Sequence, residues 1–440
     1  MTAWSFVIYL LTPCFIWHLL WRGIRYPAYW RRWHERFGYL EPLTGHRVIW
    51  VHAVSVGEVR SSALLISRLM AMYPEHRVLV TTMTPTGSEQ VEDLFGNAVS
   101  HAYVPYDFPG CVRRFMKRAR PEFAVIAETE FWPNLFAACG QRAIPLLLVN
   151  VRLSQTSLQG YLWVPKTARA MLANADLVCA QTRTDEHRLK TLGVDDALIH
   201  VTGNLKFDAP VPDSVLEEGR RLREQWGRER PVLIAGSTHK GEERKLLDAF
   251  SLIRGSFPDL LLVIVPRHPE RFGTVTRLCR HAGYSVVRRS CGEQSIDASV
   301  DIMIGDTMGE LQRLYSAADI AFVGGSLVRV GGHNVLEACA VGCPVLFGPH
   351  MFHFEEIGAM ALDEGVGRQV HDAGSLAEAV LLYLEQADLR LAAGEAARRL
   401  VAGNRGALDR TLELIEHEIR RPGEAAATDV ARDERTHQAN

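Results

Sequence analysis

Residues 47–72 read RVIWVHAVSVGEVRSSALLISRLMAM, a short apolar run followed by a loop and a longer patterned segment. Arg47–His52 is rich in Val, Ile and Trp, which is typical of a buried strand. Arg60–Met72 carries apolar residues at helical spacing. The stretch therefore predicts a strand, a loop that ends at Gly57 and Glu58, and a covering helix.

The same alternation of strand and helix runs along the chain in two blocks. The first block has strand candidates at Arg47–His52, Arg77–Thr82, Phe123–Ala127, Pro145–Val149 and Leu177–Ala180. The second block has them at Val232–Ala235, Leu260–Val265, Asp301–Ile304, Ile320–Val323 and Val345–Phe347. Buried apolar strands that alternate with helices indicate parallel sheets. We expect an α/β protein with two doubly wound domains around a cleft, which bind ligands beyond the carboxyl ends of the strands.

Composition limits the class of protein and the number of domains. The chain has 440 residues, with 49 Lys plus Arg, 51 Asp plus Glu and a net charge of −2. This excludes a protein that binds polyanions such as nucleic acids through bulk positive charge. Its eight cysteines are scattered without a CxxC pair, as in a reduced cytosolic protein without a structural metal site. The predicted organisation is an N-terminal segment 1–36, a first domain 37–206, a linker 207–230 with a short helix, a second domain 231–421 with C-terminal helices, and a disordered tail 422–440.

The N-terminal segment has the character of a membrane anchor. Ala3–Trp21 is apolar and has no formal charge, and at the helical rise it is about long enough for a bilayer core of ~30 Å. Arginines and tryptophans follow directly, which is typical of a membrane–water interface. Because basic residues beside a membrane helix stay on the cytoplasmic side, the rest of the chain is expected in the cytoplasm. The alternative is an amphipathic or buried hairpin helix, because Thr12, Pro13 and His18 interrupt the run.

Two carboxylates lie at strand ends of the first block. Glu58 follows Gly57 on a strand-to-helix loop, where it could act on a ligand or simply complement the helix dipole. Glu128 ends the apolar strand Phe123–Ala127, and a buried acid is costly without a partner. It could act chemically, or it could be a hydrogen-bonded carboxylate that orders the following loop.

The second block has the character of a nucleotide site. Small, polar or basic residues follow four of its strands, at Gly236–Lys240, Pro266–Pro269, Gly305–Glu310 and Gly324–Glu337. Backbone N–H groups at a helix start suit a phosphate, and Glu337 could hold a ribose. The alternative for Asn334 and Glu337 is an ordinary helix cap. The sequence contains neither a P-loop nor a dinucleotide fingerprint.

Together these segments resemble the 3-deoxy-D-manno-octulosonic acid (Kdo) transferases of lipopolysaccharide assembly. The motifs that carry the resemblance are HAVSVGE (52–58), ETEFWPN (128–134), GNLKFD (203–208), PRHPERF (266–272), GDTMGEL (305–311), GGSLV (324–328) and GGHN (331–334). They occur in order over nearly the whole chain.

The resemblance implies a GT-B fold and an inverting glycosyltransferase that needs no metal or other cofactor. Its donor would be CMP-Kdo, bound by the second domain. Its acceptor would be the tetraacylated lipid A precursor, lipid IVA, bound by the first domain. A cell inner-membrane location follows, with the catalytic domains on the cytoplasmic side.

The resemblance also assigns roles to individual residues. Glu58 is expected to be the general base, and Glu128 and Lys206 are expected to stabilise the transition state. The expected CMP contacts are Pro266, Arg267, Met308, Gly309, Glu310, Asn334, Val335, Leu336 and Glu337. The family often has Pro where this chain has Val335. The site should survive, because the missing N–H of Pro is not needed at a first helical position.

Two other functions fit the same sequence pattern. One is a nucleotide-sugar epimerase or another GT-B glycosyltransferase, although a membrane segment argues against a soluble epimerase. The other is a membrane-tethered protein that binds a nucleotide sugar without catalysis. The number of Kdo units transferred and the oligomeric state have no signal in the sequence.

Overall fold

The computed structural model describes residues 21, 27–291, 296 and 299–420. These residues form two compact units. One contains the described residues up to Ala209 and returns from Arg405 onward, and the other is Pro210–Asn404. Here they are called unit 1 and unit 2. The predicted anchor Ala3–Trp21, except for Trp21, and the predicted tail 422–440 lie outside the described residues.

Unit 1 is built on a parallel sheet with strand order β3-β2-β1-β4-β5-β6-β7. The strands are β1 Arg47–His52, β2 His76–Thr82, β3 Ser100–Tyr103, β4 Pro121–Ala127, β5 Leu146–Val151, β6 Leu177–Ala180 and β7 Ile199–Val201. The helices are α1 Val56–Met72, α2 Pro85–Phe95, α3 Pro109–Ala119, α4 Pro133–Gly140, α5 Gln155–Leu162, α6 Pro165–Leu172 and α7 Arg183–Leu192.

Unit 2 repeats this architecture with strand order β10-β11-β9-β8-β12-β13-β14. Its strands are β8 Val232–Thr238, β9 Leu261–Pro266, β10 Val286–Arg288, β11 Ile302–Ile304, β12 Ile320–Val323, β13 Val345–Phe347 and β14 Gly367–Gln369. Its helices are α8 Asp213–Trp226, α9 Glu242–Arg254, α10 Phe272–His281, α11 Leu311–Ser316, α12 Leu336–Ala340, α13 Glu355–Asp363, α14 Ala373–Glu385 and α15 Ala387–Gly403. A last helix, α16 at 407–420, belongs to unit 1.

Apolar side chains on both faces hold each sheet between layers of helices. In β1, Val48 and Trp50 lie in one core cluster, whereas Ile49 and Val51 lie in the cluster on the opposite face. Successive residues of a strand point to opposite faces, so a strand buried on both sides must be apolar throughout. This is why the inner strands stand out in the sequence.

Each sheet has one switch point, a strand on either side of which the chain continues in opposite directions. In unit 1, β1 lies between β2 and β4, and in unit 2, β8 lies between β9 and β12. Chain connections leave in opposite directions on either side of such a strand, which opens a crevice at its carboxyl end. The loop after β1 thus lies beside the loop after β4, and the loop after β8 beside the loop after β12.

The observed division of the chain differs from the predicted one in two places. The predicted linker 207–230 belongs to unit 2 from Pro210 onward, where its helix, α8, packs with Trp226 buried. The predicted second domain 231–421 includes helix α16, which instead belongs to unit 1. Within the described part of the chain, no helix is long and apolar enough to cross a membrane.

Candidate active site

Glu58 lies in the first turn of α1, at the switch point of unit 1. Ser55 caps this helix, and its hydroxyl donates to Glu58 Oε1 at 2.9 Å. The backbone N–H of Val54 donates to Oε2 at 2.7 Å. Only 9% of the residue is exposed. The loop itself therefore orients both oxygens of this carboxylate, as expected of a first-turn acid, while keeping it at the ligand-binding edge of the sheet.

The surroundings of Glu58 favour its neutral form. Burial raises its pKa from 4.5 to about 8, and the negative charges of Glu128 and Glu130 act in the same direction. The hydrogen bonds from Val54 and Ser55 oppose this rise. A carboxylate that holds its proton near neutral pH is also a strong proton acceptor once ionised, which is the property a general base needs.

Glu128 and Lys206 form an ion pair in unit 1. Lys206 Nζ lies 3.2 Å from Glu128 Oε1, and both side chains are partly exposed. Glu128 has a φ of +57°, a left-handed backbone conformation that residues other than glycine rarely adopt. Strained residues of this kind often occur at functional sites. The structure thus brings together two residues that the sequence assigned to the same step.

Glu130 is a third carboxylate in this group, and the sequence reasoning did not assign it a role. The Trp132 indole N–H donates to Glu130 Oε2 at 2.9 Å. Burial is the main cause that raises the pKa of Glu130, and Glu128 adds to it. The signal in the sequence was the second acid of the ETE motif, two residues after Glu128. Glu58, Glu128 and Glu130 thus form one acidic group that interacts electrostatically, next to Lys206.

The glycine-rich loop after β12 binds an acid of the protein itself. Glu242, the first residue of α9, is fully buried. Its Oε2 accepts from Gly325 N at 2.8 Å, and its Oε1 accepts from Ser326 N at 3.1 Å and Leu327 N at 3.0 Å. An internal carboxylate therefore occupies the first part of this loop. The phosphate expected at the helix start concerns a later part of the loop, near Asn334.

A second internal acid fixes the loops after β8 and β9. Glu243 is almost fully buried, and Arg271 donates to it at 2.6 and 3.0 Å. The Thr238 hydroxyl donates to the same carboxylate at 3.0 Å. The sequence reasoning missed Glu242 and Glu243, although an acidic pair directly after Lys240-Gly241 was the available signal. Together the two acids fix the backbone at the switch point of unit 2.

The residues predicted to contact CMP lie in loops at the carboxyl ends of β9, β11 and β12. Strands β11, β9, β8 and β12 are neighbours in the sheet, so these loops share one edge. Pro266 is buried at the end of β9, and Arg267, partly exposed, donates its backbone N–H to Thr238 O at 3.0 Å. Asn334 Oδ1 accepts from Leu336 N at 3.1 Å, so it orders the start of α12.

The accessibility of these predicted contacts differs between residues. Met308 is 64% exposed, and the neighbouring Gly309 faces open space. The Glu310 carboxylate is held by Arg313 at 2.8 Å and by Arg289 at 3.4 Å. Val335 and Leu336 are buried, and Glu337 has a partner within the protein. For Val335 and Leu336 the backbone, rather than the side chain, is therefore the part able to reach a ligand.

Histidines lie along the same edge of unit 2. The rings of His239 and His333 stack, and their Nε2 atoms are 2.8 Å apart, a hydrogen-bond distance. His268 packs edge-on against His239. Burial is the main cause that lowers the pKa of His333 to about 3, so this ring is neutral. His268 and His333 belong to the motifs PRHPERF and GGHN, and the sequence pattern assigns no role to any of the three histidines.

Gly331 shows why the loop after β12 needs glycine. Its φ is +113°, and a Cβ atom there would lie 2.1 Å from His353 Cδ2. A side chain would therefore clash as well as strain the backbone.

In the described part of the chain, no group of three or more His, Cys, Asp or Glu side chains is arranged to hold a metal ion.

Comparison with known proteins identifies relatives over nearly the whole chain. Residues 31–209 match the family described as 3-deoxy-D-manno-octulosonic-acid transferase (kdotransferase), and residues 235–400 match glycosyl transferases group 1. A 3-deoxy-D-manno-octulosonic acid transferase of Haemophilus influenzae is 38% identical over 93% of this chain and 96% of its own. One of Bordetella pertussis is 39% identical over 84% of this chain and 86% of its own.

A solved structure supports the fold. A glycosyltransferase from Rickettsia africae superposes with a TM-score of 0.56 at 16% identity, covering 86% of this chain and 99% of that one. At this identity the likeness concerns the fold alone. With the two parallel-sheet units, it gives the chain a GT-B-like glycosyltransferase fold.

Proposed function

The chain belongs to the family of 3-deoxy-D-manno-octulosonic acid (Kdo) transferases, and we propose that it moves Kdo from CMP-Kdo to a lipid A precursor. The acceptor group in this proposal is a glucosamine hydroxyl of the tetraacylated precursor, lipid IVA, and CMP is released. The observation that carries the proposal is the buried, oriented Glu58 carboxylate beside the Glu128–Lys206 pair.

Glu58 is the general base in this proposal. Its ionised carboxylate takes the proton of the acceptor hydroxyl while the hydroxyl oxygen attacks the anomeric carbon of Kdo. The bond between that carbon and the CMP phosphate breaks, and attack from the opposite face inverts the anomeric configuration. The two hydrogen bonds from Val54 and Ser55 support this role, because they fix the direction in which Glu58 accepts a proton.

Glu128 and Lys206 stabilise the charges that develop during transfer. We assign to Lys206 the negative charge of the departing phosphate and to Glu128 the positive charge that grows on the sugar. Groups that are already oriented toward such charges pay no reorganisation cost during the reaction. The 3.2 Å contact between the two side chains supports this assignment, since it holds both charges in place before substrate binds.

Unit 2 binds the CMP part of the donor in this proposal. The exposed Met308 side chain, the open surface at Gly309 and the partly exposed Arg267 support contact at the ends of β9 and β11. Arg267 suits a phosphate because its guanidinium is always charged and donates in a planar fork. The reaction uses side chains and backbone groups, without a metal ion or other cofactor.

The acceptor is an amphiphile that lies in a membrane, so attachment of the enzyme to that membrane would bring it to its acceptor. We propose that residues 1–36 hold the enzyme at the cytoplasmic face of the cell inner membrane. Two observations support this: the uncharged apolar run Ala3–Trp21, and the exposed aromatic side chains of Trp30, Trp33 and Tyr39 that follow it. Tryptophan and tyrosine favour the membrane–water interface.

Mass spectrometry of the acceptor tests the reaction. The purified protein is incubated with lipid IVA and with CMP-Kdo made in situ, because this donor is labile. We expect the acceptor mass to rise by one Kdo or by a series of Kdo units. Glu58→Gln, which keeps the shape of the side chain but cannot take a proton, should abolish the gain while CMP binding remains. An unchanged acceptor, with consumption of another nucleotide sugar, would overturn the proposal.

A further inference from the structure

Asn150, near the end of β5, lies between the chain segments that carry Glu128 and Lys206. We propose that Asn150 is a positioning residue for this pair: its amide fixes the turn that carries Lys206 against the strand end that holds Glu128. The inference rests on the proposed function, in which Glu128 and Lys206 act on the reacting groups.

The backbone at Asn150 departs from a regular strand. Between the pairs Leu148–Val178 and Val151–Ala180, two residues of β5 face a single residue of β6, which is a β-bulge. Asn150 is one of the two, and its φ of +55° is left-handed. Asparagine tolerates this conformation better than most residues. A bulge turns a side chain out of the strand alternation, and here it aims a buried amide at the neighbouring turn.

Two hydrogen-bonded routes lead from Asn150 to the turn of Lys206. In the direct route, Leu205 N donates to Asn150 Oδ1 at 3.0 Å. In the longer route, Gln181 Nε2 donates to Asn150 O at 2.9 Å, and Asn204 Nδ2 donates to Gln181 Oε1 at 2.9 Å. Asn204 Oδ1 then accepts from Lys206 N at 3.0 Å. Lys206 and the two residues before it are thereby tied to Asn150 in β5 and to Gln181 directly after β6.

The same strand end also holds Glu128. Its backbone N–H donates to Val149 O at 2.9 Å, one residue before Asn150. Glu128 and Lys206 are 78 residues apart in sequence. Yet the backbone of Glu128 is tied to Val149, and that of Leu205, next to Lys206, is tied to Asn150. A shift of this strand end would therefore change the distance between the two charged groups.

One of the two polar atoms of the Asn150 side-chain amide has a hydrogen-bond partner and the other has none among the described residues. The residue is 1% exposed, and Asn150 Nδ2 is buried and donates to no residue that the structure describes. A buried donor without a partner destabilises a protein. The amide oxygen Oδ1 does have a partner, since it accepts from Leu205 N in the turn of Lys206. This contact is therefore the reason for an amide at this position.

Kinetics of Asn150→Gly test the proposal. Glycine adopts a positive φ without strain, so this change removes the amide and keeps the backbone conformation. We expect kcat for Kdo transfer to fall about ten- to a hundredfold, because small misplacements of reacting groups are costly. The KM for CMP-Kdo and the affinity for CMP should not change. Gln181→Met, which removes the longer route, should give a smaller fall in kcat.

The matched control is Asn174→Gly, just before the amino end of β6, whereas Asn150 lies near the carboxyl end of β5. The Asn174 amide donates to Ala170 O and Met171 O, carbonyls of the helix that precedes it. Its loss should leave kcat unchanged. In a Lys206→Ala background, Asn150→Gly should lower kcat by less than about twofold, because the amine that Asn150 positions is already absent. The proposal would be overturned if Asn150→Gly lowered kcat by the same factor in both backgrounds, or if Asn174→Gly lowered kcat by a similar factor.

A measurement without turnover separates this inference from the proposed function. Acetic anhydride acylates free amines, and the Glu128 ion pair protects the partly buried Lys206 amine. Mass spectrometry should show faster acylation of Lys206 in Asn150→Gly than in the wild type, with Lys166 as an unchanged reference. Equal rates would overturn the positioning role. Wild-type protein that transfers no Kdo would overturn the proposed function, while the acylation rates would still decide the role of Asn150.

Discussion

Lys206 Nζ lies 3.2 Å from Glu128 Oε1, although 78 residues separate the two in the chain. The pair stands beside Glu58 and Glu130, so it places one positive charge among three acids. Such an arrangement sets which carboxylate is ionised at a given pH. The first two predictions follow from it.

The pH dependence of transfer should report the ionisation of Glu58. Its pKa is raised to about 8, and a general base works only when ionised. We therefore expect kcat/KM to rise with pH and to level off above about 8. Rates measured from about pH 6 to 10 check this. Glu130→Gln removes a neighbouring negative charge, so it should move the rise to lower pH. A rate already at its plateau near pH 6 would contradict the assignment.

Breaking the ion pair should lower the rate of the chemical step. Lys206→Met keeps the apolar stem of the side chain and removes its charge. We expect kcat to fall about a hundredfold or more, the size typical of losing one oriented electrostatic group. CMP affinity, measured by calorimetry, should be unchanged. Lys190, which pairs with Glu186 and Asp196 on the surface, offers the control Lys190→Met with unchanged kcat.

Glu242 should be important for the stability of unit 2. Glu242→Gln puts an NH2 group where an oxygen accepts backbone N–H groups of the loop after β12. We expect a loss of about 3 kcal/mol in the free energy of unfolding, since buried donors lose their charged acceptor. Denaturant titration followed by circular dichroism measures it. Glu395→Gln, on an exposed pair with Arg399, should change stability by less than about 0.5 kcal/mol.

Asp208 should hold the last helix to unit 1. Its Oδ1 accepts from Gly406 N at 2.6 Å and its Oδ2 from Leu408 N at 2.7 Å, so it caps helix α16. Asp208→Ala should destabilise the helix by about 1–2 kcal/mol. Hydrogen exchange should then be faster in residues 407–420. Glu413→Ala, at an exposed position in the interior of the same helix, is the control, and equal exchange in both variants would contradict the capping role.

The inner strands of both sheets could be predicted from the sequence, and the edge strands could not. The ten predicted strands correspond to β1, β2, β4, β5, β6, β8, β9, β11, β12 and β13. The missed strands are β3, β7, β10 and β14, which are the four edges of the two sheets. An edge strand has a neighbour on one side only and is partly exposed. It therefore needs no continuous apolar run, and three of these four have just three residues.

The family, the two α/β blocks and the motifs that contain Glu58, Glu128 and Lys206 can be recognised in the amino-acid sequence. These depend on local patterns, because burial on both faces of a strand and residue identity within a motif are properties of consecutive residues. The pairing of Lys206 with Glu128, the hydrogen bond from Asn150 to the turn of Lys206 and the position of Glu242 in the glycine-rich loop are seen in the folded chain. Each of these contacts joins residues that lie far apart in the chain. Parallel sheets bring such residues to one edge through crossover connections, so their pairing depends on strand order and bulges rather than on any local pattern.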